Sequence, residues 1–136
     1  MCLEKLRKFS VETNIGYKVF KLDDDGETHY GADYGGTHNK CKEKPSSKWL
    51  NSKDYGSAKT LTTLTKQLYP AGFHVFLTEE DARAWRDLEP DRTDDVVRKV
   101  QFRGIVATGY QKGKVVVAGK MMILPGEPEV SNELHI

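Results

Sequence analysis

Residues 69–124 read YPAGFHVFLTEEDARAWRDLEPDRTDDVVRKVQFRGIVATGYQKGKVVVAGKMMIL, and this stretch decides how the chain folds. His74, Val75, Phe76 and Leu77 form an apolar run too short for a helix and bounded by Pro70 and Gly72, which predicts a strand. Thr78 then starts a helix. Its hydroxyl can accept a first-turn amide, and Glu79, Glu80 and Asp81 suit the positive helix end. Ala82, Trp85 and Leu88 recur at spacings of three and define a buried face. Pro90 marks the end.

Two β-rich runs follow. In residues 96–103, Val96, Val100 and Phe102 fall on one face, and Val97, Lys99, Gln101 and Arg103 on the other, because side chains alternate along a strand. Residues 114–124 are rich in Val, Met and Ile. The link 104–113 contains Gly109-Tyr110-Gln111-Lys112-Gly113, which suits a hairpin turn or longer loop. Strand, helix, strand, strand is an α+β order. The expected fold is a small mixed or antiparallel sheet with one or two short helices packed on one face.

The 136-residue length fits a single domain, residues 1–136, with one modest core. Hydrophobic residues make up 38% and charged residues 30%, which describes a small, surface-rich domain. No apolar run approaches the roughly 18 residues of a membrane span. The N-terminus lacks the apolar segment of a secretory signal. Cys2 and Cys41 make no disulfide framework, so a reduced, cytoplasmic setting is expected.

The chain N-terminal to this stretch is less regular. Residues 1–9 read as a helical turn or two, with Leu3 and Leu6 three apart. Residues 17–22 alternate, Asp23-Asp24-Asp25-Gly26 turns the chain, and 27–30 returns as a partner strand. Gly26 follows Asp23 by three residues and no glutamate is suitably placed, so the acidic turn is not an EF-hand. Residues 31–57 are read as a long polar loop, pinned by Trp49 and Leu50, with Lys40, Lys42, Lys44 and Lys48 interleaved with Tyr30, Tyr34 and Tyr55. Residues 57–69 are read as a short helix on Leu61, Leu64 and Leu68, despite five Ser and Thr residues that dilute helix propensity. Residues 125–136 are expected to be a loose tail.

The net charge of +1 hides a segregation. Residues 79–95 hold eight acids against Arg83, Arg86 and Arg92, whereas 96–125 hold six bases (Arg98, Lys99, Arg103, Lys112, Lys114, Lys120) and no acid. Such a basic sheet beside an acidic helix is either an ordinary solvated surface or a place for an anion such as a phosphate. The candidate ligand-binding residues are Lys99, Arg103, Tyr110 and Lys112, followed by His74 and Tyr17. Arg grips a phosphate by a forked pair of bonds, Lys acts as a point charge, and Tyr stacks on a base.

Other chemistry is poorly represented. Cys2, His29, His38 and Cys41 are zinc-type ligands, but His38-x-x-Cys41 is only half of a site. Cys41 with His38 is the one candidate nucleophile–base pair. Residues 104–109 lack the Lys-Ser or Lys-Thr of a phosphate loop. The reading therefore includes no catalytic residue, no metal and no cofactor.

The pattern Gly72-Phe73-His74, capped helix, strand ending Phe102-Arg103-Gly104, and Val-rich strand with Ala118-Gly119-Lys120 resembles small uncharacterised domains of bacteriophages and prophages over residues 69–124. The resemblance implies a phage-encoded accessory binding protein that antagonises a bacterial defence system. It would sequester a nucleotide signal or occlude a host protein. The alternative is a compact ADP-ribosyltransferase-like enzyme acting on a host target, with His29-Tyr30 as the suggestive pair and Glu27 and Glu133 as the glutamates in question. The expected partners are a phosphate-bearing nucleotide or a host defence protein, with no membrane. Exposed sheet edges also offer a route to homo-oligomers.

Overall fold

The computed structural model describes residues 3–31, 42–54 and 60–125. In chain order the strands are β1 (Lys5–Leu6), β2 (Ile15–Leu22), β3 (His29–Gly31), β4 (Lys42–Glu43), β5 (Leu50–Asn51), β6 (Thr60–Thr62), β7 (Leu68–Pro70) and β8 (Phe73–Phe76). The helix α1 (Glu79–Arg86) and the long strands β9 (Val96–Tyr110) and β10 (Lys114–Ile123) complete the set, with short 3-10 turns at Ser52–Asp54 and Pro90–Arg92. Among the described residues strand accounts for 48% and helix for 12%. The α+β expectation is therefore corrected: this is a sheet-dominated, antiparallel fold carrying one α-helix among the described residues.

The main sheet runs β1-β9-β10-β8-β2-β3-β4, with β5 on β10, and β9 also pairs with β2. The four strands β9, β10, β8 and β2 thus close into a ring. β9 makes this possible by working in two halves. Residues 96–101 pair with β2, while 100–110 pair with β10. Within the second half Gly104 adopts φ 73 and the register to β10 shifts at Val117/Ala118, so Val106 is an extra residue. A bulge of this kind bends and coils a strand, and a positive φ there favours glycine.

One apolar cluster fills the side of the ring that holds Phe20, Phe73, Val75, Val100, Phe102, Val116, Met121 and Ile123. A second lies on the other side under α1 and the β6–β7 hairpin: Leu3, Val19, Leu61, Tyr69, Phe76, Ala82, Trp85, Val115 and Val117. The alternation expected for 96–103 holds, with Val100 and Phe102 buried and Lys99 and Arg103 exposed. Thr78 caps α1 by accepting from Asp81 N at 3.1 Å. Ala82 and Trp85 are buried, but Leu88 lies beyond the helix and is 49% exposed.

Two local expectations are overturned and a third is narrowed. Residues 3–9 form no helix: Lys5 and Leu6 pair with Tyr110 and Gly109 as β1. Residues 60–70 form a β-hairpin rather than a helix. There the Thr63 hydroxyl accepts from Thr65 N and Gln67 N, and Lys66 turns the chain with φ 70. Threonine hydroxyls bonding the local backbone compete with helix formation, and Leu64 and Leu68 are left exposed. The link 104–113 is mostly strand, with the turn confined to 111–113. In the polar segment Leu50 does pin the chain to the core, but as part of β5.

β2 and β8 share one residue pair, Tyr17 with Phe76. Beside it, a side chain at Gly16 would meet Val75 Cγ1 and lie 2.7 Å from the Phe76 carbonyl. One residue on, Lys18 is 3% exposed and its Nζ donates to the His74 carbonyl at 2.9 Å. The ammonium thus takes a β8 carbonyl just where the ladder to β2 stops. If the ring closes this tightly, Gly16→Ala lowers the unfolding free energy by about 1–3 kcal/mol through overpacking. Gly26→Ala, at an open turn position with φ 71, costs only about 1 kcal/mol of backbone strain. Urea unfolding of both variants checks this, and equal losses would contradict the close approach at Gly16.

Candidate functional site

Register places three charged or aromatic side chains in one row. Tyr110 at the end of β9 is opposite Lys5 of β1 on one side and Lys114 of β10 on the other. Residues directly opposite in neighbouring strands project from the same face. Lys5 Nζ lies 5.5 Å from the centre of the Tyr110 ring. Arg7, whose N donates to Thr108 O and so extends the β1 ladder, brings its guanidinium to 5.9 Å from the same ring.

A second ring completes the group. Phe9 packs at 6.0 Å, centroid to centroid, from Tyr110, and Lys114 Nζ sits 5.2 Å from the Phe9 ring. Two aromatic rings, both half-buried, are therefore ringed by three exposed cations. None of Lys5, Arg7 and Lys114 has an ion-pair partner among the described residues. Cations over aromatic faces are attracted by the ring quadrupole, which holds them near the rings without neutralising them. Chemically this is a platform for a planar group with an anionic tail.

The sequence-derived site residues do not form one cluster. Tyr110 belongs to the platform, and Lys112 sits at the exposed tip of the adjoining turn with φ 65. Arg103 is seven residues back along β9, roughly 20 Å away at the rise of a strand, and lies over Trp49 instead, 4.0 Å from the ring centre. Lys99 is exposed and pairs with Tyr17 of β2, and Tyr17 is half-buried against the cluster under α1.

The surface contact expected of His74 is also corrected, because this side chain is fully enclosed. Its Nδ1 faces the Gly72 carbonyl at 3.1 Å and its Nε2 faces the Tyr69 hydroxyl at 3.0 Å. A carbonyl can only accept, so Nδ1 carries the proton and Nε2 accepts from the Tyr69 hydroxyl. That hydroxyl in turn accepts from Leu3 N at 2.9 Å. His74 thus fastens the N-terminal segment that carries Lys5, Arg7 and Phe9.

Lys5, Arg7, Phe9 and Lys114 were missed in the sequence reading. Interleaved cations and aromatics at 5–9 were the available signal, but it was read as a helical turn. Tyr30 meets Lys42 Nζ at 5.5 Å. Desolvation and then the carboxylate of Asp23 raise the Tyr30 hydroxyl's pKa. Tyr34 and Tyr55 lie outside the described residues, as do Cys2, His38, Cys41 and Glu133.

His29, once a candidate zinc ligand and enzyme residue, is 2% exposed. Its Nε2 accepts from Arg98 Nε at 3.1 Å, and its Nδ1 donates to the Glu27 carbonyl at 2.6 Å. Phe20 stacks edge-on at 5.4 Å. Among the described residues no group of three His, Cys, Asp or Glu side chains is placed to hold a metal, and no helix is long and apolar enough to cross a membrane. The 104–109 stretch is strand, not a phosphate loop. No protein-family model, curated protein or solved structure matches the chain.

Burial, ahead of the nearby Arg98 charge, lowers the pKa of His29 from its ordinary 6.5, although the Glu27 carbonyl opposes this. The unfolded chain then binds the proton more readily than the folded one. The neutral histidine's contribution is present above pH 6.5 and is lost as pH falls below it. The wild type should therefore lose stability between pH 7.5 and 5.5 by urea unfolding. His29→Gln should show a smaller loss over the same window, and parallel losses in the two proteins would contradict the assignment.

Proposed function

We propose that the protein is a non-catalytic binder of a phosphate-bearing ligand with a planar base, held on the Phe9–Tyr110 platform. One observation carries this reading: three cations with no carboxylate partner among the described residues surround two adjacent aromatic rings. A base can stack on Tyr110 or Phe9, and its phosphate can meet the Arg7 fork and the Lys5 and Lys114 ammonium groups.

The resemblance to phage-encoded domains directs the search for the ligand toward nucleotide signals of bacterial defence systems, inside the host cytoplasm. Occlusion of a host protein is the other outcome within the same proposal. The enzyme alternative has no observation in its favour, since His29 is committed on both ring nitrogens.

A thermal-shift screen of mono-, di- and cyclic nucleotides, followed by calorimetry, tests the proposal. A bound nucleotide should raise the melting temperature and be recovered intact by mass spectrometry. Tyr110→Ala should weaken it by about 5–100-fold, the equivalent of one base–aromatic stack of ~1–3 kcal/mol. Lys114→Gln should weaken it less and flatten its salt dependence. No shift with any nucleotide, or recovery of a cleaved product, would contradict the reading.

A further inference from the structure

The other end of the β9–β10 ladder carries a second row of polar side chains. Arg103 of β9 is directly opposite Lys120 of β10, and Lys120 is directly opposite Asn51 of β5. The row is therefore two cations and an amide across three hydrogen-bonded strands. Like charges placed directly opposite one another in a sheet repel and destabilise the pair. Neither Arg103 nor Lys120 has an ion-pair partner among the described residues to relieve this.

The surroundings hold the row in place. Trp49, immediately before β5, receives the Arg103 guanidinium at 4.0 Å from its ring centre, the closest cation–ring contact described. A guanidinium resting on an aromatic ring keeps its N–H edge available for hydrogen bonds, because the ring engages its face. Asn51 Oδ1 accepts from Lys53 N at 3.0 Å, which turns the oxygen toward the 3-10 turn and leaves the amide's donor end uncommitted among the described residues. Leu50, between Trp49 and Asn51, is 4% exposed and anchors β5 in the core.

We infer that the Arg103–Lys120–Asn51 row, floored by Trp49, is a second and separate binding site, selective for a phosphate group. The Arg103 fork takes two phosphate oxygens, the Lys120 ammonium supplies a point charge beside it, and Asn51 Nδ2 donates to the remaining oxygen. Bound phosphate removes the repulsion between the opposed cations, so occupancy stabilises the β9–β10–β5 end of the sheet. The site does not depend on the Phe9–Tyr110 platform, from which it is separated by the bulge at Gly104.

The test is titration of the full chain with inorganic phosphate at constant ionic strength, balanced with sodium chloride, following the Trp49 indole N–H by NMR. Trp49→Phe assigns that signal and separates it from Trp85, which lies on the buried face of α1. A saturable shift is expected in the wild type and unchanged in Tyr110→Ala. Lys120→Gln, which keeps the arginine–indole contact, should weaken it at least tenfold, and Arg103→Gln should abolish it. A shift that grows linearly without saturating, or one that survives in Lys120→Gln, would overturn the inference. The Tyr110→Ala arm keeps this result distinct from failure of the platform.

Discussion

The strand β2 can reach β8 and β9 together because Gly16 has no side chain. A methyl group there would run into Val75 and the Phe76 carbonyl, so this contact sets how tightly the sheet rolls. Everything else is arranged around the closure. Phe20, Val75, Val100 and Phe102 meet on one side of the ring, and the buried Lys18 ammonium donates to the His74 carbonyl. An uncompensated buried ammonium would be costly. The closed ring is also what presents β9 as one long strand with its two ends in different company.

Much of this was legible in the sequence, and the parts that were not have physical reasons. The Thr78 cap, the Trp85 face and the alternation of Val100 and Phe102 against Lys99 and Arg103 depend on nearest neighbours, which a linear reading captures. The Asp23–Gly26 turn is equally local: Asp25 accepts from Glu27 N, Thr28 N and the Thr28 hydroxyl, and its carboxyl is held down to about 2, chiefly by the Thr28 amide. Thr60–Pro70 failed because leucines at helical spacing were weighed above the Thr63 hydroxyl, which captures two backbone amides. The fold class failed for a related reason. The pairing of β9 with both β2 and β10 is a long-range choice that no short window reveals.

The candidate binding face was half legible. The basic excess of residues 96–125 pointed to β9 and β10, and Tyr110 was grouped with Lys112 as a ring on which a base would stack. What the sequence could not show was which cations. Register decides that: Lys5 arrives from a segment more than a hundred residues upstream, and Lys114 rather than Lys112 stands opposite the tyrosine. His74, in a short strand beside a basic ribbon, was open to a structural and a ligand-binding reading, and the structural one holds. Its work is internal, linking Gly72, Tyr69 and Leu3 so that the N-terminal segment lies against β9.

The account stands on the Phe9–Tyr110 platform being the place where a ligand binds. The most direct measurement is an amide and side-chain chemical-shift map of the whole protein on adding a saturating nucleotide. The account predicts the largest changes at Lys5, Arg7, Phe9, Tyr110 and Lys114, with α1 and the Asp23–Gly26 turn unmoved. Changes confined to α1, to that turn or to the β6–β7 hairpin would contradict it.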